Sequence, residues 1–527
     1  VTARRAALLV ALVTLLVFLA AVGNGFVNWD DDVNLTGNPW FRGFGADNLR
    51  WMFTTTLMGH YIPLTWLTFA ADQALWGLDP RGYHLTSVAL HALNAALVFL
   101  VARRLLGGER VLPAAVAALA FALHPLRVES VAWATERRDV LSGAFALSSL
   151  LAYFRSVDDP DHRRRWLGLS LAAFAGALLS KAIAMTLPLI LVAVDVHLRR
   201  VNRRTLLEKL PFACLAVVGA AIALVAQWQT TMTPWSQHGA LPRTAMVAYS
   251  MGFYASRTAL PIGLSPLYEL PAVIHPLEVP YALSALGTLA MTLVAVALRR
   301  RVPGLLLAWV AYVVMVLPIS GAVHAGHQLV ADRYSYLACV PWALLAGAGI
   351  AWILDARRPD ALPSAVRVAT VTSAIALLGA WTLLTTSQIP VWRDSETLWR
   401  TAVDHDPACS VCRTNLGRVF LEQGHLEAAA AEFRLAIAAR PERANPHNNL
   451  GTVLYRQGRV REAFAEFQLA AALQPHFADP HNNLGVLYAG LGQVEEAMRE
   501  FSTALALRPE FPVARSNLER VRSATRH

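Results

Sequence analysis

Twelve apolar stretches, separated by short basic clusters, precede Gln388, at roughly 6–27, 83–102, 111–131, 139–154, 166–183, 184–198, 210–228, 244–262, 279–298, 303–323, 335–354 and 365–387. Runs of this kind, many near the ~20 residues that cross a hydrocarbon core as a helix, leave few alternatives to a bundle of membrane helices. The composition agrees: 55% of the 527 residues are hydrophobic and 16% charged, too apolar a balance for an ordinary soluble enzyme. The net charge of +10 does not point to nucleic acid, because the arginines sit between apolar runs, as cytoplasmic loops require.

Those loop charges orient the chain. Arg4 and Arg5 place the N-terminus inside, and Arg103, Arg104, Arg163 to Arg165 and Arg199 to Arg204 return successive helices to the cytoplasm. A span at 244–262 would put Arg299 to Arg301 outside. Reading that stretch as interfacial or re-entrant restores the rule for Arg299 to Arg301 and for Arg357 and Arg358, and leaves eleven spans with the C-terminus outside. The first segment remains as a helix, since it is longer than a signal-peptide core and lacks a small-residue cleavage site. The expected fold is therefore all-α: a polytopic domain over 1–390, then a soluble array over 391–527.

The array shows its own period. Asn-Leu-Gly recurs at 415–417, 449–451 and 483–485, and proline at 407, 441, 475 and 509, a step of 34. Ala429, Phe433 and Ala436 recur as Ala463, Phe467, Ala470 and as Ala497, Phe501, Ala504. This is the tetratricopeptide pattern of paired helices, in which Gly and Ala allow close packing. The boundaries are a half-repeat at 395–407, full repeats at 410–443, 444–477 and 478–511, and a cap at 512–525, where Glu519 replaces the glycine. Such stacks form a groove for an acceptor protein or peptide. Cys409 and Cys412 stand alone as a C-x-x-C, with Arg413 where haem attachment would need His; they read as a local disulfide or as two free thiols.

Chemistry is sought in polar residues that apolar surroundings make costly. Asp30, Asp31 and Asp32 follow the first span, at the start of an outer loop (28–83) whose Trp29, Trp40, Trp51, Trp66 and Trp76 suggest short interfacial helices. His60, Tyr61, His84, His91 with Asn94, His124, Glu129, Arg137, Asp139 and Lys181 lie on the same outer side, with His324, His327, Asp332 and Arg333 before the tenth span. Singly each reads as structural; their convergence on the face that carries Asp30 marks a site. No nucleophile elbow, phosphate-binding loop or H-E-x-x-H is present, which disfavours a protease or a nucleotide-driven pump. An outer-face acid with cations suits group transfer from a lipid phosphate, the acid as general base and Arg333 or Lys181 on the departing phosphate.

The ordered set Trp29-Asp-Asp-Asp32, Tyr61-Ile-Pro-Leu-Thr-Trp66, Gly82-Tyr-His-Leu-Thr-Ser-Val-Ala-Leu-His-Ala-Leu-Asn94, His124-Pro-Leu-Arg-Val-Glu-Ser-Val131, Arg137-Arg-Asp139, Ser180-Lys181 and Asp332-Arg-Tyr-Ser-Tyr-Leu337 resembles the transmembrane and TPR-repeat O-mannosyltransferases and their bacterial relatives. These are similar to GT-C glycosyltransferases. The resemblance implies an inverting enzyme with a polyprenyl-phosphate sugar as donor and an acidic pair in the first outer loop. It implies Asp30 as base, Asp31 as the paired acid and candidate metal holder, Arg333 on the lipid phosphate, and Glu129, Arg137 and Asp139 lining the cavity. Asp32, His60, Tyr61, His84, His124, Lys181 and Asp332 complete the candidate substrate contacts. The family pair is Asp-Asp or Asp-Glu, whereas this chain has three acids, so the register reads as Asp30 with Asp31 or Asp31 with Asp32. No metal ligand set is legible, leaving a divalent metal open. The implied setting is a bacterial inner membrane, with site and repeats on the periplasmic side. Two alternatives stand beside this one: a non-catalytic anchored scaffold, and an enzyme of the same type with a glycan or lipid acceptor.

Overall fold

The computed structural model describes residues 2–228, 238–323, 326–356 and 361–524; His324, Arg357, Arg358 and residue 525 lie outside them. It divides into Val1–Asp394 and Ser395–His527. Residues 389–393 belong to the first unit for a packing reason. Trp392 is buried and stacks on Trp133 at 5.3 Å. The Gly25 N–H donates to the Arg393 carbonyl at 2.8 Å, and the Asn24 amide to the Ile389 carbonyl at 3.3 Å.

Each of the eleven expected spans is helical. Among the described residues, however, six helices are long and apolar enough to cross a membrane: Ala3–Gly23, Pro80–Leu106, Ala134–Asp158, Arg203–Trp228, Val279–Ala297 and Ser364–Trp392. The number rises to eight if two bent pairs each count as one span. Those are Val111–Ala122 with Pro125–Ala132, bent by 56°, and Asp332–Ala338 with Val340–Leu354, bent by 52°. The first bend is sequence-encoded, because Pro125 opens a new helical turn and the His124 ring caps it by accepting the Leu126 N–H at 3.3 Å. Ala182–His197 and Pro303–Ile319 are shorter apolar helices, and Arg163–Ser180 begins on three arginines. Ala240–Ala259, the expected non-spanning stretch, buries Arg243 among Met246, Met251 and Tyr254 and is not among the helices apolar enough to cross.

The helix Pro80–Leu106 shows how the ends are set. The Asp79 side chain accepts the Arg81 N–H at 3.0 Å, Pro80 occupies the first turn, and Gly107 ends the helix at φ 93 after Arg103 and Arg104. The segment between the first two of these helices folds against this helix through Ala46–Thr54 and Pro63–Trp76. Its core is Leu35, Phe41, Met52, Trp66, Phe69 and Tyr83. Trp40 and Trp76 stay exposed, as interfacial rings would, but Trp66 is a core residue instead: it sits edge-on to Trp51 and Phe69.

The second unit is a stack of helix pairs: Ser410–Glu422 with Leu426–Ala439, Ala444–Arg456 with Val460–Leu473, and Ala478–Gly490 with Val494–Leu507. Ser395–His405 precedes them and Pro512–Ala524 follows. Cys409 and Cys412 form a disulfide. The repeated glycine is a packing requirement, since a Cβ at Gly417, Gly451 or Gly485 would lie 2.6, 2.7 or 2.7 Å from the ring of Phe433, Phe467 or Phe501. We therefore expect Gly451→Val to destabilise the array by roughly 1–3 kcal/mol through overpacking. Limited proteolysis of the full chain reads it out as faster cleavage within 395–524 with unchanged cleavage of the membrane unit.

Candidate functional site

The acidic triplet resolves into three environments. Asp31 is fully buried; its Oδ1 accepts the Thr135 N–H at 3.0 Å and the Thr135 hydroxyl at 2.6 Å, and its Oδ2 accepts the Val27 N–H at 3.0 Å. Both oxygens are thus turned to protein donors, and the carboxyl ties this loop to the turn Ala134–Glu136. Burial still pushes its pKa up to about 7, against those hydrogen bonds, which favour the ionised form. Asp32 opens a wide turn over Asp32–Thr36 and accepts the Val33 N–H at 3.0 Å.

Asp30 differs from both. It adopts φ 71, a left-handed conformation that costs a non-glycine residue about 1 kcal/mol or more. The residue keeps part of its surface open, yet its carboxyl is shielded from bulk water. Desolvation raises its pKa to about 6 against the pull of Arg138 and Arg333, while Glu136 and Asp32 add to the rise.

Asp30 therefore lies within electrostatic reach of a buried ion network. Glu136, fully buried, is its centre. It pairs with Arg138, with Lys181 Nζ at 2.9 Å and with Arg333 Nε at 3.2 Å. Lys181 also meets Asp139 Oδ1 at 2.7 Å, whose other oxygen accepts the Ser130 hydroxyl at 3.1 Å. Arg333 pairs with Glu129, which accepts its backbone N–H at 2.8 Å as well. His60 is in reach of Arg138, Lys181 and Arg333, and burial with these cations holds its ring neutral, well below the ordinary histidine pKa. Asp332 accepts the Tyr268 hydroxyl at 3.0 Å beside this network.

Local sequence explains the convergence. Glu136, Arg138 and Asp139 lie at the start of the helix Arg137–Asp158, Lys181 ends the helix Arg163–Ser180, and Arg333 begins the short turn after the strand Gln328–Val330. That strand pairs with Tyr268–Glu269 and so fixes the Asp332–Arg333 turn.

Several expected site residues lie elsewhere. Arg137 points away from the network into a buried pair with Asp72 at 2.5 Å, where it also donates to the Tyr83 carbonyl at 2.7 Å and stacks 4.6 Å from Phe69. Arg138, which sequence reasoning passed over, takes the place expected of it. The His84 ring meets the Gly25 carbonyl at 3.2 Å and the His124 ring the Thr258 carbonyl at 3.1 Å. Both hold segments together. The Tyr61 hydroxyl donates to the Phe53 carbonyl at 3.1 Å and closes the loop on itself. His91 and Asn94 both reach the Tyr336 hydroxyl at 2.8 Å, bridging helices. Among the described residues no three His, Cys, Asp or Glu side chains converge on a metal position.

The membrane unit also holds an apolar cavity of about 200 Å³. Its wall includes Ile183 and Ala184, two and three residues after Lys181, and Leu337, four after Arg333, and follows the helix Leu187–His197 to His197. At 1.5 Å per residue, 183 to 197 spans ~21 Å. The ion cluster thus lies within a few residues of one end of this apolar wall.

Comparison with known proteins adds to this geometry. Residues 64–228 match the family model described as dolichyl-phosphate-mannose-protein mannosyltransferase, and residues 417–458 and 454–518 match tetratricopeptide repeat models. The protein O-mannosyl-transferase Tmtc2 of Drosophila melanogaster is 32% identical over 39% of this chain and 23% of its own length. Protein O-mannosyl-transferase TMTC3 of Homo sapiens is 34% identical over 22% of this chain and 12% of its own. Each match thus takes in less than a quarter of the relative. Among solved structures, the first TPR of Spaghetti (RPAP3) bound to an HSP90 peptide is similar at 20% identity and TM-score 0.22, over 22% of this chain and 94% of that one. The chain therefore carries a segment that matches the mannosyltransferase family model, followed by a tetratricopeptide array.

Proposed function

We propose that this chain, a mannosyltransferase-family membrane segment joined to tetratricopeptide repeats, is an inverting glycosyltransferase that moves a sugar, mannose by family likeness, from polyprenyl phosphate to a hydroxyl of an exported protein. The observation that carries the reading is Asp30: a carboxyl on a partly exposed residue, with a pKa near 6, within electrostatic reach of Arg138 and Arg333. In this reaction the Asp30 carboxylate takes the proton of the acceptor hydroxyl, and the oxygen attacks the anomeric carbon. The bond from that carbon to the phosphate oxygen breaks, and its electron pair leaves with the phosphate. Lys181 and Arg333 meet the charge that develops there, and Lys181 is the more open of the two.

The apolar cavity suits the isoprenoid chain, since Thr186 and His197 are the polar exceptions in a wall of aliphatic side chains. Asp31 is a positioning residue in this scheme: fixed by Val27 and Thr135, it holds Asp30 in its left-handed turn. The register is then Asp30 with Asp31, and Asp31, with both oxygens occupied, is not the residue to hold a metal. The repeats recruit the acceptor, and the site and repeats face the periplasm of a bacterial inner membrane. The relatives' printed names favour a protein acceptor over a glycan or lipid.

Mass spectrometry of exported proteins from wild-type and deletion strains tests the proposal. The expected result is loss of a hexose from Ser or Thr in the deletion, restored by the wild-type gene and not by an Asp30→Asn copy. Restoration by the Asn copy would leave the scaffold reading in its place; an unchanged protein pattern with an altered envelope glycan would move the acceptor to the third reading.

A further inference from the structure

A second polar cluster lies at the opposite end of the helix Arg137–Asp158, where Tyr153 is fifteen residues, or ~22 Å, from Arg138. Here two carboxylates each carry two cations. Asp195 meets Lys209 and, at 3.3 Å, Arg200 Nε, and both its oxygens accept from the Tyr153 hydroxyl at 2.7 Å. Glu208 is held by Arg163 at 2.5 Å and also faces Arg204 at 3.5 Å. Four cations against two carboxylates leave the cluster two charges in excess, in a region where Lys209, Asp195 and Tyr153 are buried.

Two features show that the excess is directed. Arg200 Nη1 is buried with no hydrogen-bond partner among the described residues. The turn that delivers this guanidinium also places Arg199 at φ 52, in the position where a helix ordinarily ends on glycine. An unpartnered guanidinium nitrogen and a net positive field call for a phosphate-like anion. The surroundings say which kind. Val196, Val201, Leu206, Leu207 and Leu210 are exposed around the cluster, and the apolar cavity ends on the same helix at His197. A soluble anion has no use for that apolar rim, whereas a phospholipid covers it with its acyl chains while its phosphate reaches Arg200.

We infer that Arg200, with Arg204 and Lys209, forms a headgroup site for an anionic phospholipid at the basic end of the membrane bundle, separate from the Asp30 network. The inference does not rest on the transferase reading, because neither the acids nor the donor enters it.

Spin-labelled phosphatidylglycerol and phosphatidylcholine, each added to bilayers holding the full chain, report how many lipids are held at its surface. Wild type should prefer phosphatidylglycerol, and Arg200→Gln should cut that preference about fivefold, through loss of a direct guanidinium–phosphate contact. Arg204→Gln, at a largely exposed side chain, should act in the same direction and serves if Arg200→Gln is poorly folded. Arg301→Gln, on the exposed Arg299–Arg301 turn, removes the same charge and should change the preference less than about twofold. Equal uptake of the two lipids by wild type, or an Arg301→Gln loss as large as that of Arg200→Gln, would overturn the site. Displacement of the labelled lipid by millimolar inorganic phosphate would overturn the lipid assignment in favour of a soluble anion.

Discussion

Asp30→Asn is expected to lower kcat/KM for sugar transfer by about 10²- to 10⁴-fold, the contribution of a positioned general base. The same residue sets the pH dependence. A base works ionised, so transfer by the wild type should rise with pH, reach half its plateau near pH 6 and stay level above, following the pKa that burial gives Asp30. The Asn variant should lack that limb. A stability readout separates this role from a structural one. Because the folded pKa lies above the ordinary value of 3.8, the folded protein binds the proton more tightly than the unfolded chain, and stability falls as pH rises from about 4 to about 6. At neutral pH the Asn variant escapes that cost and should melt no lower than wild type.

Asp31→Asn should behave in the opposite way. An amide in place of the Asp31 carboxylate turns an N–H₂ toward Val27 or Thr135, which both donate, and an unmatched buried donor costs roughly 1–3 kcal/mol. Its loss of transfer should therefore come with a lowered melting temperature. Full transfer by Asp30→Asn, with an unmelted but inactive Asp31→Asn, would shift the base to Asp31 and sink the assignment made from the backbone turn.

How far these residues were legible in the sequence depended on periodicity. The 34-residue step and the repeated Ala and Phe positions specify the repeats fully, because each position has one packing role; Gly451 against Phe467 is an instance. Apolar runs locate the membrane helices equally well, but not how many cross, since a bend at Pro125 divides one run into two helices. The charged run Glu136-Arg137-Arg138-Asp139 shows the limit for the site. Successive residues of a helix point ~100° apart, so the two arginines must go different ways, and the phase that sends Arg138 to Glu136 and Arg137 to Asp72 is set by tertiary packing. Asp72 and Thr135 carried no signal of their own. Neighbouring His and Tyr residues show the same limit: His84, His124 and Tyr61 look like site residues in the sequence, and the fold gives each a bond to a backbone carbonyl that the sequence does not announce.

Glu136 carries the second large expectation. It is the one fully buried carboxylate shared by Arg138, Lys181 and Arg333. Replacing it by Gln keeps the shape but leaves three cations around a neutral amide whose N–H₂ must face at least one of them. Breaking a buried ion pair from one side costs about 3–5 kcal/mol, and here the cations also repel one another. Glu136→Gln should accordingly show the lowest melting temperature of the variants considered for the site. Transfer should fall with it, because Lys181 and Arg333 lose the group that sets their spacing. Glu136→Asp, which keeps the charge on a shorter stem, should recover part of the stability, whereas Asp139→Asn should cost less, since Asp139 holds Lys181 alone among these cations. A Glu136→Gln protein as stable as wild type would mean that the three cations do not converge on this carboxylate, and the phosphate-meeting role given to Lys181 and Arg333 would lose its physical basis.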